Sequence, residues 1–169
     1  MTIVNKPVPQ ETETEIVGKK ILRGRDLKDR EFAFTMTPEE NVGAAWGEEY
    51  PGGFGESLTV RNDEAGYFRF PLSYTYDDYT KAVEKGFVDE NRCACFYSVV
   101  RERVPEAAID GFLNGVRYDA SVYLVTVRLF IDGDRLRTEI GSGPYDPNRL
   151  TGDHFALLAP ERRRNLPGL

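Results

Sequence analysis

The sequence predicts an all-β chain folded as a mainly antiparallel sandwich with one short helix in a connection. Three observations point there. Nine Tyr and ten Phe against two Met favour strands over helices. Several runs alternate apolar and polar residues with a period of two. Turn-forming residues separate seven or eight such runs at short intervals, with no strand–helix–strand units between them. A length of 169 residues fits one domain with a core of its own. The expected division is a flexible leader over 1–15, a β-sandwich domain over 16–159 and an exposed tail over 160–169.

The elements follow in order. Residues 1–15 are polar, with an acidic Thr/Glu stretch, and read as a leader. A first strand covers 16–22. A polar connection over 23–30 leads to Glu31-Phe-Ala-Phe-Thr-Met-Thr37, where alternation puts Phe32, Phe34 and Met36 on one face. Residues 38–56 hold five Gly among acids and aromatics and read as a long surface loop. Residues 57–60 and 66–70 flank Asn62-Asp-Glu-Ala-Gly66 and suggest a hairpin. Residues 77–85, stopped by Gly86, form the one good helix candidate. A long β-rich run follows over 92–104, ended by Pro105. Another spans 118–131, with Tyr123, Val125, Val127, Leu129 and Ile131 on one face. Asp132-Gly-Asp134 turns it into a strand over 136–140, and Phe155-Ala-Leu-Leu158 is a last short apolar stretch.

Composition excludes several function classes. A net charge of −6 gives a nucleic-acid partner no electrostatic support. No run of apolar residues is long enough to span a membrane, and the opening residues lack the apolar core of a signal peptide. One histidine (His154) and two cysteines (Cys93, Cys95) cannot fill a zinc site of the usual kind. The two cysteines read as small core residues. No metal and no cofactor is expected. His154 beside Asp153 has no nucleophile motif with it, and Gly52-Gly-Phe-Gly55 lacks the Lys-Ser/Thr of a phosphate loop.

Three blocks in order carry a resemblance. Lys20-Ile-Leu-Arg-Gly-Arg-Asp-Leu-Lys28 followed by Glu31-Phe-Ala-Phe34 is the first. Phe96-Tyr-Ser-Val-Val-Arg-Glu102 followed by Arg103-Val-Pro-Glu106 is the second. Asn114-Gly-Val-Arg-Tyr-Asp-Ala-Ser-Val-Tyr-Leu-Val-Thr-Val127 is the third. Together, over about residues 16–141, they resemble the streptococcal-pilin isopeptide-linkage domain, a CnaB-like module of Gram-positive pilins and wall-anchored surface proteins. The resemblance implies a CnaB-like sandwich in a pilin or cell-surface adhesin. It implies an extracellular place in a cell wall or pilus, neighbouring surface-protein domains as partners, and a host protein or glycan as a possible further one. In that family a strand Lys is joined to an Asn, sometimes an Asp, near the C-terminus, helped by a central acid. The resemblance assigns the nucleophile to Lys20 and the acid to Glu102. Burial of a lysine among apolar groups favours its neutral, nucleophilic amine. A buried carboxyl can hold and shuttle the proton. Such a bond forms once per molecule, so the chain is not expected to be a turnover enzyme.

The family pattern closes with a further strand, and the corresponding stretch here, His154-Phe-Ala-Leu-Leu-Ala-Pro160, departs from it. Leu157 stands where the acceptor amide belongs, and leucine has no electrophile. Asp153, Asn148 and Asn165 are the alternative acceptors, each requiring a shift of the last strand. No sortase signal of the L-P-x-T-G type is present. Parity places Lys20 inward with Leu22. Glu102 shares a face with Ser98 and Val100 but is flanked by Arg101 and Arg103, which leaves a surface position open. If both are buried without the bond, an ion pair remains. A second function class is a binding module that recognises a protein or glycan through Trp46, Tyr50 and Phe54, with core filling as the equal alternative for those rings. A third, a hydrolase built on paired carboxylates, has no convincing pair behind it.

Overall fold

The computed structural model of the chain describes residues 1–5, 10–47, 50–53 and 55–146. The fold is an all-β sandwich of antiparallel strands, closed at one end by helices. Strand β1 (Glu11–Lys19) pairs antiparallel with β4 (Tyr67–Thr75) as a two-stranded ribbon. The facing sheet has five strands in the order β3-β2-β5-β8-β9. These are β2 (Ala33–Pro38), β3 (Leu58–Arg61), β5 (Ala94–Glu102), β8 (Val122–Asp132) and β9 (Arg135–Pro144). A small hairpin of β6 (Phe112–Leu113) and β7 (Val116–Arg117) stands apart from both.

The ribbon turns Ile16, Phe70, Leu72 and Tyr74 onto the inner face of the sheet, and all four are buried. From the sheet, Phe34, Met36, Phe96, Val100, Val127 and Leu129 meet them. Tyr74 stacks on Phe96 with ring centroids 4.9 Å apart. The expected inward face of β8 is present at its centre, with Val125, Val127 and Leu129 buried, while Tyr123 and Ile131 towards its ends are exposed. β1 lies beside β9, and β4 beside β3, but no hydrogen-bonded ladder joins either pair. The first residues of β1 share a groove with the first residues of β9, and the last residues of β1 share another with Ser142 near the end of β9. β1 and β9 therefore run parallel, and the chain enters the sandwich at one end and leaves β9 at the other.

Four expectations are corrected. The first strand begins at Glu11, inside the expected leader, because Thr12, Thr14 and Ile16 alternate inward while Glu11, Glu13 and Glu15 stay in solvent. The stretch expected as a loop contains helix α1 (Glu40–Trp46), capped by the Glu39 carboxylate and stopped by Gly47. Residues 57–70 do not form a hairpin. β3 pairs with β2 and β4 with β1, so the turn at Asp63–Gly66 is a corner between the layers. Asn62, almost wholly buried, fixes that corner: its Oδ1 accepts the Phe32 N–H at 2.8 Å and its Nδ2 donates to Lys28 O at 2.9 Å. Lastly, Cys93 and Cys95 are buried and not joined in a disulfide, but their surroundings are not purely apolar. Arg128 donates to Asp89 Oδ2 from Nε and Nη2 at 3.1 and 2.9 Å, and its Nη2 lies 3.4 Å from Cys93 Sγ. Burial, and then the Asp89 carboxylate, push the Cys95 thiol up to about 12, so it stays protonated and unreactive.

The expected helix is present as α2 (Tyr76–Lys85). Thr75 and Asp78 form a reciprocal capping box, and Gly86 ends it in the left-handed region at φ 85°. The expected closing stretch Phe155-Ala-Leu-Leu158 and the end of the sandwich domain lie outside the described residues.

Gly18 faces Phe68 across the ribbon, and a Cβ there would lie 2.1 Å from the Phe68 ring. That close approach lets Phe68 stack on Phe34 with centroids 3.7 Å apart. Gly18→Ala is expected to lower stability by about 1–3 kcal/mol in urea denaturation, by forcing this stack apart. Gly141→Ala, whose Cβ would meet nothing within 4 Å, should change it by less than about 0.5 kcal/mol.

Candidate functional site

The end of the sandwich opposite the helices brings Lys20 and Glu102 together. Lys20 follows β1 directly, and its N–H donates to Gly66 O at 2.7 Å. Gly66 has φ +98°, and a Cβ there would lie 2.2 Å from Lys20 O, so glycine alone fits this approach. Glu102 is the last residue of β5, opposite Phe34 in β2. Strand parity turns both side chains inward. Lys20 Nζ lies 2.9 Å from Glu102 Oε1, with the side chains 13% and 3% exposed. The inward position read from parity is thus the observed one for Lys20, and Glu102 takes the buried alternative.

The pair has a built surround. Lys20 Nζ sits over the Phe32 ring, 4.6 Å from its centroid, and Phe32 meets Tyr118 edge-on. Glu102 Oε2 accepts the Asp119 N–H at 2.7 Å. Oε1 has no aligned hydrogen bond, so the ammonium satisfies it as an ion pair. Next to the pair a groove of about 250 Å³ runs under β1, floored by Ile16, Phe34, Phe68, Val100 and Val125. Asp119 and Ser121 line its polar end. The Ser121 N–H and then the Ser121 hydroxyl hold the Asp119 carboxyl below the usual aspartate range, and the Lys20 charge adds to that. Asp119 is thereby kept anionic and is a poor electrophile.

Chemically, the arrangement places an amine and a carboxyl in mutual reach on an apolar floor. A proton can pass between them, and a carboxamide or carboxyl delivered to the groove would meet the amine. The expected acceptors do not enter this description: Asp153, Asn148, Asn165 and Leu157 lie outside the described residues. Among the described residues no group of three His, Cys, Asp or Glu side chains is arranged to hold a metal ion.

The loop aromatics take the core-filling alternative. Trp46 is 5% and Tyr50 8% exposed. Trp46 contacts the rings of Tyr50, Phe87 and Phe96, and the Tyr50 hydroxyl donates to Tyr97 O at 2.8 Å. Neither offers an exposed ring to a ligand, which corrects the contact surface expected of them; Phe54 lies outside the described residues. Sequence reasoning missed Asp89, Arg128 and Glu39. The signal for Arg128 was a charge in the middle of the apolar β8 run, which requires a buried partner. For Glu39 it was an acid four residues before Gly43 in a Val42…Trp46 helical spacing.

Comparison with family models, with curated proteins and with solved structures gives no match.

Removing one partner of the Lys20–Glu102 pair strands the other charge out of water. Lys20→Met is expected to cost about 3–5 kcal/mol in chemical denaturation. Lys20→Met with Glu102→Gln should recover most of that loss, since no unpaired charge then remains.

Proposed function

We propose that this domain is a structural module of a pilin or cell-surface adhesin, akin to the isopeptide-linkage domains its motifs resemble. The observation that carries the reading is the buried Lys20–Glu102 contact, which ties the end of the first strand to the central strand of the sheet. The two residues are those the motif resemblance names, and they meet across layers that, among the described residues, no backbone ladder joins. The chain path adds support. Entry and exit at opposite ends, with β1 and β9 parallel, suit a unit that transmits tension along a stalk. On this reading the protein works outside the cell, in a wall or pilus, between neighbouring surface-protein domains.

In the cross-linked form of such a module, the Lys amine attacks the side-chain carbonyl carbon of an Asn. The new C–N bond replaces the amide C–N bond, and ammonia leaves with a proton relayed by the central acid; with Asp, water leaves instead. With Leu157 at the acceptor position, Lys20 and Glu102 instead remain an ion pair, a reversible tie of the same two strands. The domain then holds its first strand by a contact that can re-form after rupture.

Two measurements test this. Intact-mass analysis of the purified chain is expected to give the full sequence mass, whereas a deficit of one ammonia or one water would show that the covalent form exists. Pulled from its two ends, the domain should unfold at a lower force when Lys20 is replaced by Met. An unchanged unfolding force would overturn the mechanical role.

A further inference from the structure

The exit of the chain from β9 is strapped to helix α1. Just past Pro144, the Tyr145 N–H donates to Val122 O at 2.9 Å, and the Tyr145 hydroxyl donates to Glu39 Oε1 at 3.0 Å. Glu39 is fully buried. Its carboxylate also accepts the Asn41 N–H at 3.1 Å and the Val42 N–H at 3.2 Å, the bonds that cap α1. The Glu39 N–H in turn donates to Tyr97 O, the carbonyl that receives the Tyr50 hydroxyl. One buried acid therefore joins three parts of the molecule: the first turn of α1, strand β5 and the exit of β9. Among the described residues no ion pair reaches Glu39, so these donors are what satisfies its buried carboxyl oxygens. Burial, and then the Glu39 carboxylate, push the Tyr145 hydroxyl up to about 12, so it remains a donor throughout the neutral range.

We propose that Tyr145 and Glu39 form a conformational strap that couples the chain's exit from β9 to the folding of α1. Drawing the chain after Tyr145 away from the sheet removes a donor from the buried carboxylate and weakens the α1 cap. α1 is short, with seven residues, so its stability depends on that cap and on the packing of Val42 and Trp46. Among the described residues the Trp46 indole N–H has no hydrogen-bond partner, so its ring contacts and the Lys85 ammonium 5.4 Å from its ring centroid hold it in place. Loss of the cap therefore opens the 40–46 segment while the β1–β4 ribbon, which shares no bond with the strap, stays closed. The coupling is independent of the proposed role of the Lys20–Glu102 pair.

Hydrogen–deuterium exchange of the full chain at neutral pH tests it, with Trp46 fluorescence in parallel. Tyr145→Phe keeps the ring and deletes only the donor. It is expected to speed exchange of the Asn41 and Val42 amides and their α1 neighbours by about tenfold, the loss of one hydrogen bond to a charged group. Exchange of the Phe70 and Leu72 amides should stay unchanged. Adding Tyr145→Phe to Glu39→Gln should have a much smaller effect than it has alone, because the two act through one bond. Unchanged exchange in α1 for Tyr145→Phe would overturn the proposal, as would a uniform rise that includes the ribbon. The single Tyr145→Phe variant decides the matter even if Glu39→Gln does not fold.

Discussion

The architecture turns on a closure problem. A two-stranded ribbon covers a five-stranded sheet, yet among the described residues the strands pair through their backbones at neither seam. Side chains must therefore supply the closure. Apolar burial between the layers provides the bulk of it. The Phe34–Phe68 stack, admitted by the missing side chain at Gly18, draws the ribbon onto the sheet at close range. The Lys20–Glu102 pair fixes the end of the first strand beside it. Without directional contacts of this kind, apolar packing alone would leave the ribbon free to slide along the sheet.

Three buried acids show three ways to keep a carboxylate out of water. Glu102 has an ammonium and a backbone N–H. Asp89 has the fork of Arg128 together with the N–H groups of Asn91 and Cys93. Among the described residues Glu39 has only neutral donors, from the turn that it caps and from Tyr145. The order matters for rigidity. Asp89 sits in a planar, two-pronged grip, and Glu39 in a set of contacts that can be undone one at a time. The region around Asp89 is thus suited to stay fixed, and the region around Glu39 to yield.

Much of this was legible in the residues. Alternation located β2 and β8, since a buried face imposes a period of two, whereas β5, buried on both faces, was legible as a long β-rich run. The helix expected over 77–85 was marked by Gly86, and the Thr75–Asp78 capping box that starts it at Tyr76 is as local a signal. The Lys20–Glu102 contact was named through ordered motifs, and parity oriented Lys20. What escaped was decided at a distance. The chain between 61 and 67 looks like a hairpin turn, yet β3 and β4 part to different layers because Asn62 is held by Phe32 and Lys28, far away in sequence. The loop aromatics went inward for a like reason: Trp46 and Tyr50 fill the end of the sandwich around Phe96, a vacancy that exists only once the strands have assembled.

The pairing pattern also sets an order of assembly. The first strand finds its partner only when residues 67–75 are available, and β2 waits for β5, some of the longest loops the chain must close. β8 and β9, by contrast, are joined by the two residues Gly133 and Asp134 and form their ladder at once. During synthesis the first strands therefore emerge with their edges unsatisfied, while the β8–β9 hairpin closes fast once its residues are available. A chain of this topology folds slowly for its size and is most exposed to mispairing before β8 and β9 are complete.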